Sequence, residues 1–325
     1  MIRSDVLRAV FWNDERGRAR TPWLIALPLV GAYVALIAVE AALYGRVPLP
    51  VVQLLINVAP VAVALVLIVA SRRLLGARRS VSDYGLTVDR RWLVDLSAGL
   101  GIGLAGVAIP YLIGIAAGWL EVVAVFDQGE LAVWPGIILI VLSMFLVGLW
   151  EELLLRAVFI CNAADGLRGW LSPRRAVAGG VVVSAVVFGV AHFAQATQAA
   201  FILTWVLSGV VLGVIYVLSG NLALTIGIHA AFNIAYNVLF VRTDVAGLES
   251  LSAITRIGLD PDLPLLVRGG VLDVAAWVCV GLLGLLWLWS SRGALSVNLE
   301  ALQVEEEPEA SRPTPAPGRT AAIHS

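Results

Sequence analysis

Two adjacent glutamates and an arginine follow a long apolar run of the chain. Residues 137–148 carry no charged side chain, and Glu151, Glu152 and Arg156 lie just beyond them. Ionisable groups inside a membrane span are expensive, and they often mark a functional site. On a helix Glu152 and Arg156 share one face and can pair, whereas Glu151 is turned by about 100° from Glu152. The spacing therefore predicts one carboxylate that is neutralised locally and one that is not.

Polar groups from two other apolar runs could complete a site around Glu151. His192 ends the sequence Phe188-Gly-Val-Ala-His192. His229 and Asn233 are four residues apart, on one face of a helix. A poorly hydrated glutamate can act as a base near neutral pH, and a histidine can help to hold the attacking water. An imidazole and a carboxamide can donate hydrogen bonds to an oxyanion, so these residues predict hydrolysis of a peptide bond by an activated water.

Two alternatives stay open from the residues alone. Glu151, His192 and His229 are a usable zinc-ligand set, although the chain has no HExxH motif. A buried polar network that only locks helices together is the other alternative, but such a network would not need a second, unpaired glutamate. Cys161 and Cys279 lack CxxC spacing and are interpreted as small buried hydrophobes. The residue set alone does not decide between a zinc site and a site without a cofactor.

The composition is that of a membrane protein. The 325 residues are 60% hydrophobic and only 14% charged, whereas soluble domains average roughly 25% charged residues. Several apolar runs reach the roughly 20 residues that a membrane helix requires. We therefore predict an all-α polytopic membrane helix bundle of about eight transmembrane helices. The predicted spans are 23–44, 49–71, 92–120, 133–160, 176–195, 199–219, 222–240 and 271–290.

Charges between the spans predict the orientation. Arginines lie between spans two and three and between spans four and five, whereas the loop between spans three and four contains only acids. The excess of arginine in cytoplasmic loops places both termini in the cytoplasm. The charged loop residues are Arg72, Arg73, Arg78, Arg79, Arg90, Arg91, Arg168, Arg174 and Arg175 on one side, and Glu121, Asp127 and Glu130 on the other.

The chain divides into three parts on this interpretation. Residues 1–21 form a cytoplasmic segment, and residues 22–291 form the transmembrane domain, with a motif core at about 130–240. Residues 292–325 are predicted to be a disordered cytoplasmic tail because they become rich in Glu and Pro. Residues 242–268 are predicted to be an outer loop with a short surface helix near 248–256. Glu40, a lone acid near the outer end of span one, is interpreted as snorkelling to the interface.

Several glycines in the spans are interpreted as packing positions. Gly101, Gly103 and Gly106 spell the dinucleotide fingerprint GxGxxG, but they lie in an apolar run with no preceding strand. We therefore discard nucleotide binding and predict close helix packing at the pairs 99/103 and 209/213.

The three motifs together resemble those of the CPBP intramembrane endopeptidases. This family includes the Rce1-type CAAX prenyl proteases and the bacterial abortive-infection proteins. Its pattern of EExxxR, FxxxH and HxxxN occurs here intact and in order, within about residues 130–240. The resemblance assigns water activation to Glu151 and His192, and oxyanion stabilisation to His229 and Asn233. The residues that it assigns to supporting roles are Glu152, Arg156 and Phe188.

The resemblance also implies the setting of the reaction. It implies an all-helical membrane core, a site open toward the cytoplasm and no required cofactor. The expected partners are the lipid bilayer and a membrane-associated peptide or protein, which in some family members is lipid-modified. No nucleic acid partner is predicted. The expected location is a bacterial plasma membrane, with the protein as an integral component.

The predicted depth of His192 in the membrane conflicts with a site open toward the cytoplasm. His192 lies about 25 Å along a straight helix from Arg175, whereas Glu151 and His229 are predicted to lie nearer the cytoplasmic side. Span five must therefore begin well outside the membrane or tilt strongly.

Two other functional classes compete with the peptidase. A non-catalytic scaffold or bacteriocin-immunity-type protein could keep the same fold, but the intact set of catalytic residue types argues against it. A transporter would show a repeated pair of broken helices and polar residues along a path. Here the polar residues cluster in three motifs instead.

Overall fold

The computed structural model describes residues 4–193, 202–260, 262–263 and 270–302. Most of this part of the chain is helical, and the prediction of an all-α polytopic membrane bundle is confirmed. The helices are α1 (Ser4–Phe11), α2 (Thr21–Leu43), α3 (Leu49–Leu74), α4 (Arg90–Ala116), α5 (Val133–Glu151), α6 (Phe159–Leu167), α7 (Pro173–Ala191), α8 (Ile202–Ser219), α9 (Ala223–Ile234) and α10 (Val271–Arg292). Two π-helical segments, Glu152–Val158 and Ala235–Leu239, continue α5 and α9, and 3-10 turns lie at Ser82–Tyr84 and Leu248–Ser250.

Seven of the eight predicted spans are long enough to cross a membrane in the described residues. The exception is Ala223–Leu239, an apolar helix of only 17 residues that combines α9 with the second π-helical segment. Val133–Leu167 is longer than a membrane crossing requires. In this range α5, the first π-helical segment and α6 form one helix of 35 residues. At 1.5 Å per residue this helix is about 52 Å long, which exceeds a hydrocarbon core of about 30 Å.

The short helix α9 lies at the centre of the bundle. All ten residues from 223 to 232 are buried, and α9 packs between α4 and α5. Gly99 and Gly103 allow the closest approach, because an added Cβ would lie 2.4 Å from a carbonyl oxygen of α9 at either position. A Cβ at Gly209 would lie 2.7 Å from Ala185 Cα. The predicted glycine packing is therefore confirmed for both pairs of helices.

A small three-stranded sheet covers one end of the bundle. Its strands are β3 (Leu120–Asp127), β5 (Ala253–Leu259) and β4 (Val241–Arg242), in the order β3-β5-β4. The β3–β5 pair is antiparallel, and β4 pairs with β5 in parallel. The prediction of a surface helix near 248–256 is wrong, because only a 3-10 turn forms and the β-branched residues from 253 onward pair with β3 instead. A two-stranded hairpin, β1 (Trp12–Asn13) with β2 (Arg18–Ala19), lies near the N-terminus.

The opposite end of the bundle carries the arginine-rich loops and the segment after α10. Asn298 donates from its backbone N–H to the Val217 carbonyl oxygen at 3.0 Å, and Leu302 is almost completely buried. Arg79 donates to the Leu302 carbonyl oxygen at 3.1 Å and pairs with Asp165 at 2.8 Å. Residues 293–302 therefore pack against the bundle. The sequence had instead predicted that a disordered tail begins at residue 292. Residues 303–325 lie outside the described residues.

Candidate active site

One cavity of about 450 Å³ lies within the bundle and is lined by side chains from seven helices. Glu151 from α5, His192 from the end of α7, and His229 and Asn233 from α9 all line it. The structure thus brings together the four residues that the motifs single out. Phe188 also lines the cavity.

A π-helical turn places both glutamates toward the protein interior. The Phe159 N–H donates to the carbonyl oxygens of Arg156 and Leu154, and the second bond has the five-residue spacing of a π-helix. Such turns are rare and occur often at functional sites. Glu151 is 6% exposed and Glu152 is 0% exposed, although they are adjacent in sequence. The π-helix carries no sequence signature, so the prediction from α-helical geometry missed it.

The predicted pair of Glu152 and Arg156 is confirmed. Arg156 Nε lies 3.3 Å from Glu152 Oε2, and both side chains are completely buried. The Arg156 guanidinium also lies 4.4 Å from the ring centre of Phe188, a distance that suits a cation–π interaction. Its nitrogens form no hydrogen bond within the described residues. Arg156 is therefore held by one carboxylate and one aromatic face.

His229 connects the two glutamates. Its Nδ1 lies 2.8 Å from Glu152 Oε1, and its Nε2 lies 3.7 Å from Glu151 Oε2. Because an ionised carboxylate only accepts hydrogen bonds, Nδ1 carries the proton and Nε2 is directed toward the cavity. Glu152 therefore bridges Arg156 and His229, a contact that the sequence did not predict because it treated Glu152 only as the partner of Arg156.

His192 has a different partner. Its Nδ1 lies 2.8 Å from the Phe188 carbonyl oxygen, so Nδ1 is the donor and Nε2 is the acceptor of the neutral ring. The imidazole lies 4.4 Å from the Phe188 ring and 6.0 Å from the Trp205 ring, between centroids. These two aromatic rings hold the imidazole at the wall of the cavity.

A polar network fixes the residue before Glu151. Trp150 donates from Nε1 to Asn57 Oδ1 at 3.0 Å, and Asn57 donates to Ser143 Oγ at 3.1 Å. Ser143 in turn donates to the Gln53 carbonyl oxygen at 2.8 Å. The network ties α3 to α5 beside the catalytic candidates. Sequence reasoning missed it, although two polar residues four apart, Gln53 and Asn57, were a visible signal in an otherwise apolar span.

The zinc alternative involves the same three side chains, Glu151, His192 and His229. Within the described ranges no group of three His, Cys, Asp or Glu side chains is arranged to hold a metal ion. The Nδ1 atoms of both histidines already contact protein oxygens, so only the Nε2 atoms face the cavity.

The depth of His192 follows from the long helix. Between Glu151 and the end of α6 at Leu167, the helix covers about 24 Å, and α7 starts beyond that end at Pro173. The 19 residues of α7 span about 28 Å back along the bundle. His192 therefore returns to the level of Glu151, as expected if span five begins outside the membrane.

The cavity lies toward the end of the bundle that carries the sheet. Its wall includes Glu40 near the end of α2, Gln53 near the start of α3, Asp273 near the start of α10 and Leu248 in the loop before β5. The arginine-rich loops lie at the opposite ends of these helices. The resemblance implied a site open toward the cytoplasm, and this placement disagrees with it if the arginine-rich loops are cytoplasmic.

These features define a membrane helix bundle with an acidic residue and two histidines around a buried cavity. Residues 132–235 match the family described as type II CAAX prenyl endopeptidase Rce1-like. No curated protein and no solved structure matches the chain. The resemblance that the three motifs predicted is thereby confirmed, and the match supports a CAAX-protease-type peptidase within an integral membrane protein.

Proposed function

We propose that the protein is an intramembrane endopeptidase that hydrolyses a peptide bond of a membrane-associated protein or peptide. Glu151 and His192 hold and activate the attacking water, while His229 and Asn233 bind the oxyanion. The observation that supports this most directly is the shared cavity, because side chains from the separate helices α5, α7 and α9 line one space.

Glu151 and His192 can account for each proton transfer of the hydrolysis. Glu151 takes a proton from the water as its oxygen bonds to the carbonyl carbon, and the carbonyl electron pair moves to oxygen. His192 Nε2 accepts the second water proton as a hydrogen bond and orients the nucleophile. The tetrahedral intermediate then collapses, the C–N bond breaks, and protonated Glu151 gives its proton to the leaving amine.

The different partners of the two histidines support their different roles. A backbone carbonyl on Nδ1 selects the neutral tautomer of His192 in which Nε2 accepts, and an accepting Nε2 suits a group that binds water. The Glu152 carboxylate contacts Nδ1 of His229 and orients the ring, and in this proposal a protonated Nε2 donates to the developing oxyanion. Asn233, one helical turn further on, adds a carboxamide donor on the same wall.

The setting belongs to the same proposal. Both termini lie in the cytoplasm of a bacterial cell, the substrate lies in or on the plasma membrane, and lipid modification of that substrate is compatible with the family match. No cofactor takes part in the scheme.

The test compares membranes from cells that carry the wild type or the Glu151→Gln variant. Fragments with new termini that occur only with the wild type are expected, and they identify the substrate and the cleaved bond together. A peptide that spans this bond should then be cleaved by the purified wild type. Identical fragment sets, with both proteins present at equal levels, would favour the scaffold function instead.

A further inference from the structure

Four arginines surround one carboxylate at the arginine-rich end of the bundle, and they are called the arginine cluster below. Arg16 and Arg18 belong to the β1–β2 hairpin, and Arg78 and Arg79 follow α3. The carboxylate is Asp165 of α6, which lies 2.8 Å from Arg79 Nη1 and 3.6 Å from Arg18 Nη1. Arg16 Nη1 donates to the backbone carbonyl oxygen of the same residue at 3.2 Å. The cluster therefore has an excess of positive charge.

Asp165 is used mainly by one of these arginines. Arg79 donates to both of its oxygens, at 2.8 and 3.2 Å, which is the bidentate geometry of a strong pair. Arg18 is 5% exposed, and the 3.6 Å contact with Asp165 is its only side-chain partner among the described residues. Burial lowers the pKa of Arg18 more than Asp165 raises it, and the other three arginines lower it further. Since buried charges are normally paired, the donors of Arg18 indicate that a further anion belongs in the cluster.

The cluster lies where membrane helices begin and end. Arg18 precedes α2, which begins at Thr21, and Arg78 follows α3, which ends at Leu74. Both helices are long and apolar enough to cross a membrane. The end of α6 lies at the same level, because a Cβ added at Gly166 would lie 3.2 Å from Thr21 Cγ2. The cluster is therefore expected at the level of the lipid headgroups.

Exposed apolar side chains lie on α1, directly before the hairpin that carries Arg16 and Arg18. Val10 and Phe11 are exposed, and the Phe11 ring stacks on Trp23 of α2 with 4.3 Å between centroids. Trp23 also donates from Nε1 to the Val10 carbonyl oxygen at 3.0 Å, which fixes α1 to the start of α2. A ligand with an anionic head and an apolar chain would thus find both kinds of surface side by side.

The open side of the cluster is formed by Arg16 and Arg78. Both side chains are exposed, and Arg78 forms no hydrogen bond or ion pair within the described ranges. Arginine donors match the oxygens of a phosphate group well and can bind them in pairs. An anion that approaches from this side would meet two exposed guanidinium groups first and the buried Arg18 behind them.

We propose that the arginine cluster binds the headgroup phosphate of an anionic phospholipid. A soluble phosphate ion shares this chemistry, but the lipid is favoured because the cluster lies at headgroup level beside the apolar side chains of α1. The bound lipid would join the hairpin, the loop after α3 and the end of α6, and so stabilise the bundle. The proposal is independent of the peptidase reaction.

The first experiment measures lipid selectivity in the purified full-length chain. The protein in detergent is titrated with phosphatidylglycerol or with phosphatidylcholine of the same acyl chains, and bound lipids are counted by native mass spectrometry. The first phosphatidylglycerol should bind about tenfold more tightly than phosphatidylcholine. Arg16→Gln combined with Arg78→Gln should reduce this ratio to about one, because it removes the exposed cations of the cluster.

The matched control combines Arg174→Gln with Arg175→Gln. These two exposed arginines lie at the start of α7, at the same end of the bundle but outside the cluster, and their loss should keep the selectivity. Both double variants change exposed side chains, so their melting temperatures without added lipid should stay within about 2 °C of wild type.

The second experiment separates a lipid from a soluble anion. Phosphatidylglycerol should raise the melting temperature of the wild type and of the control, but not that of the Arg16 and Arg78 double variant. Sodium phosphate at the same molar concentration should leave all three unchanged. An equal rise with sodium phosphate would make the cluster a site for a soluble anion and overturn the lipid proposal.

Two further outcomes would also overturn it. One is equal binding of the two lipids, or selectivity that survives the loss of Arg16 and Arg78. The other is selectivity that occurs only in a chain ending at Leu302, whose carbonyl oxygen accepts from Arg79 at 3.1 Å. That result would assign the cluster to the three glutamates at 305–307 of the same chain.

Discussion

Glu151 and Glu152 are adjacent in sequence and have the same side chain, but their surroundings differ. Glu151 faces the cavity, and one of its oxygens has no hydrogen-bond partner among the described residues. Glu152 is completely buried between Arg156 and His229. The difference shows that two neighbouring carboxylates of one helix can have separate surroundings: one lies against the cavity, and the other contacts a histidine and an arginine.

The largest effect is expected at Glu151. Glu151→Gln keeps the shape of the side chain but removes the base, so turnover should fall by about 10²–10⁴-fold, with little change in melting temperature. Turnover of the peptide identified from membranes and thermal unfolding in detergent measure the two quantities. Substantial turnover in this variant would remove Glu151 from the role of base.

Glu152→Gln should instead reduce stability first. It leaves Arg156 buried beside an uncharged amide, and breaking a buried pair typically costs about 3–5 kcal/mol. The melting temperature and the yield of extracted protein should fall, and activity should fall with them. A variant that is fully stable yet inactive would exchange the roles of the two glutamates.

Arg156→Met combined with Glu152→Gln separates the two functions of Glu152. Removing both charges should restore part of the stability that either single change loses. Turnover should remain about 10–100-fold below wild type, the usual loss when a histidine loses its orienting carboxylate. Full recovery of turnover together with stability would show that the contact with His229 has no catalytic consequence.

The smallest effect is expected from metal removal. Exhaustive chelation should leave the turnover of purified protein unchanged, and the preparation should contain well under one metal ion per chain. Loss of activity that one zinc per chain restores would replace the glutamate scheme with metal coordination by Glu151, His192 and His229.

Much of this arrangement could be predicted from local spacing. The membrane bundle follows from apolar runs, and the pairing of Glu152 with Arg156 follows from their four-residue separation. The convergence of the two histidine motifs on Glu151 was inferred from the presence of polar groups in three apolar spans and from the family resemblance, because distance in space is not encoded in the spacing along one helix.

Other features depend on tertiary packing and could not be predicted in this way. The contact between Glu152 and His229 requires α9 to pass close to α5, which Gly148 allows by lying against the backbone of α9. The strand at 253–259 forms because β3 is available as a partner. The position of Glu40 in the cavity wall depends on where α2 ends relative to α10.

The π-helical segment Glu152–Val158 determines how α6 is rotated relative to α5. It inserts its extra residue between the membrane part of the helix, which carries Glu151, and α6, which carries Asp165 and its contact with Arg79. If the same residues continued in α-helical geometry, without the wider π-turn, α6 would be rotated by about 100° relative to α5. Asp165 would turn away from Arg79, although every motif residue would still be present. The rotation of α6 relative to α5 is thus set by the number of residues in the π-helical segment between them. The arrangement around the site therefore depends on that number as much as on the identity of its side chains.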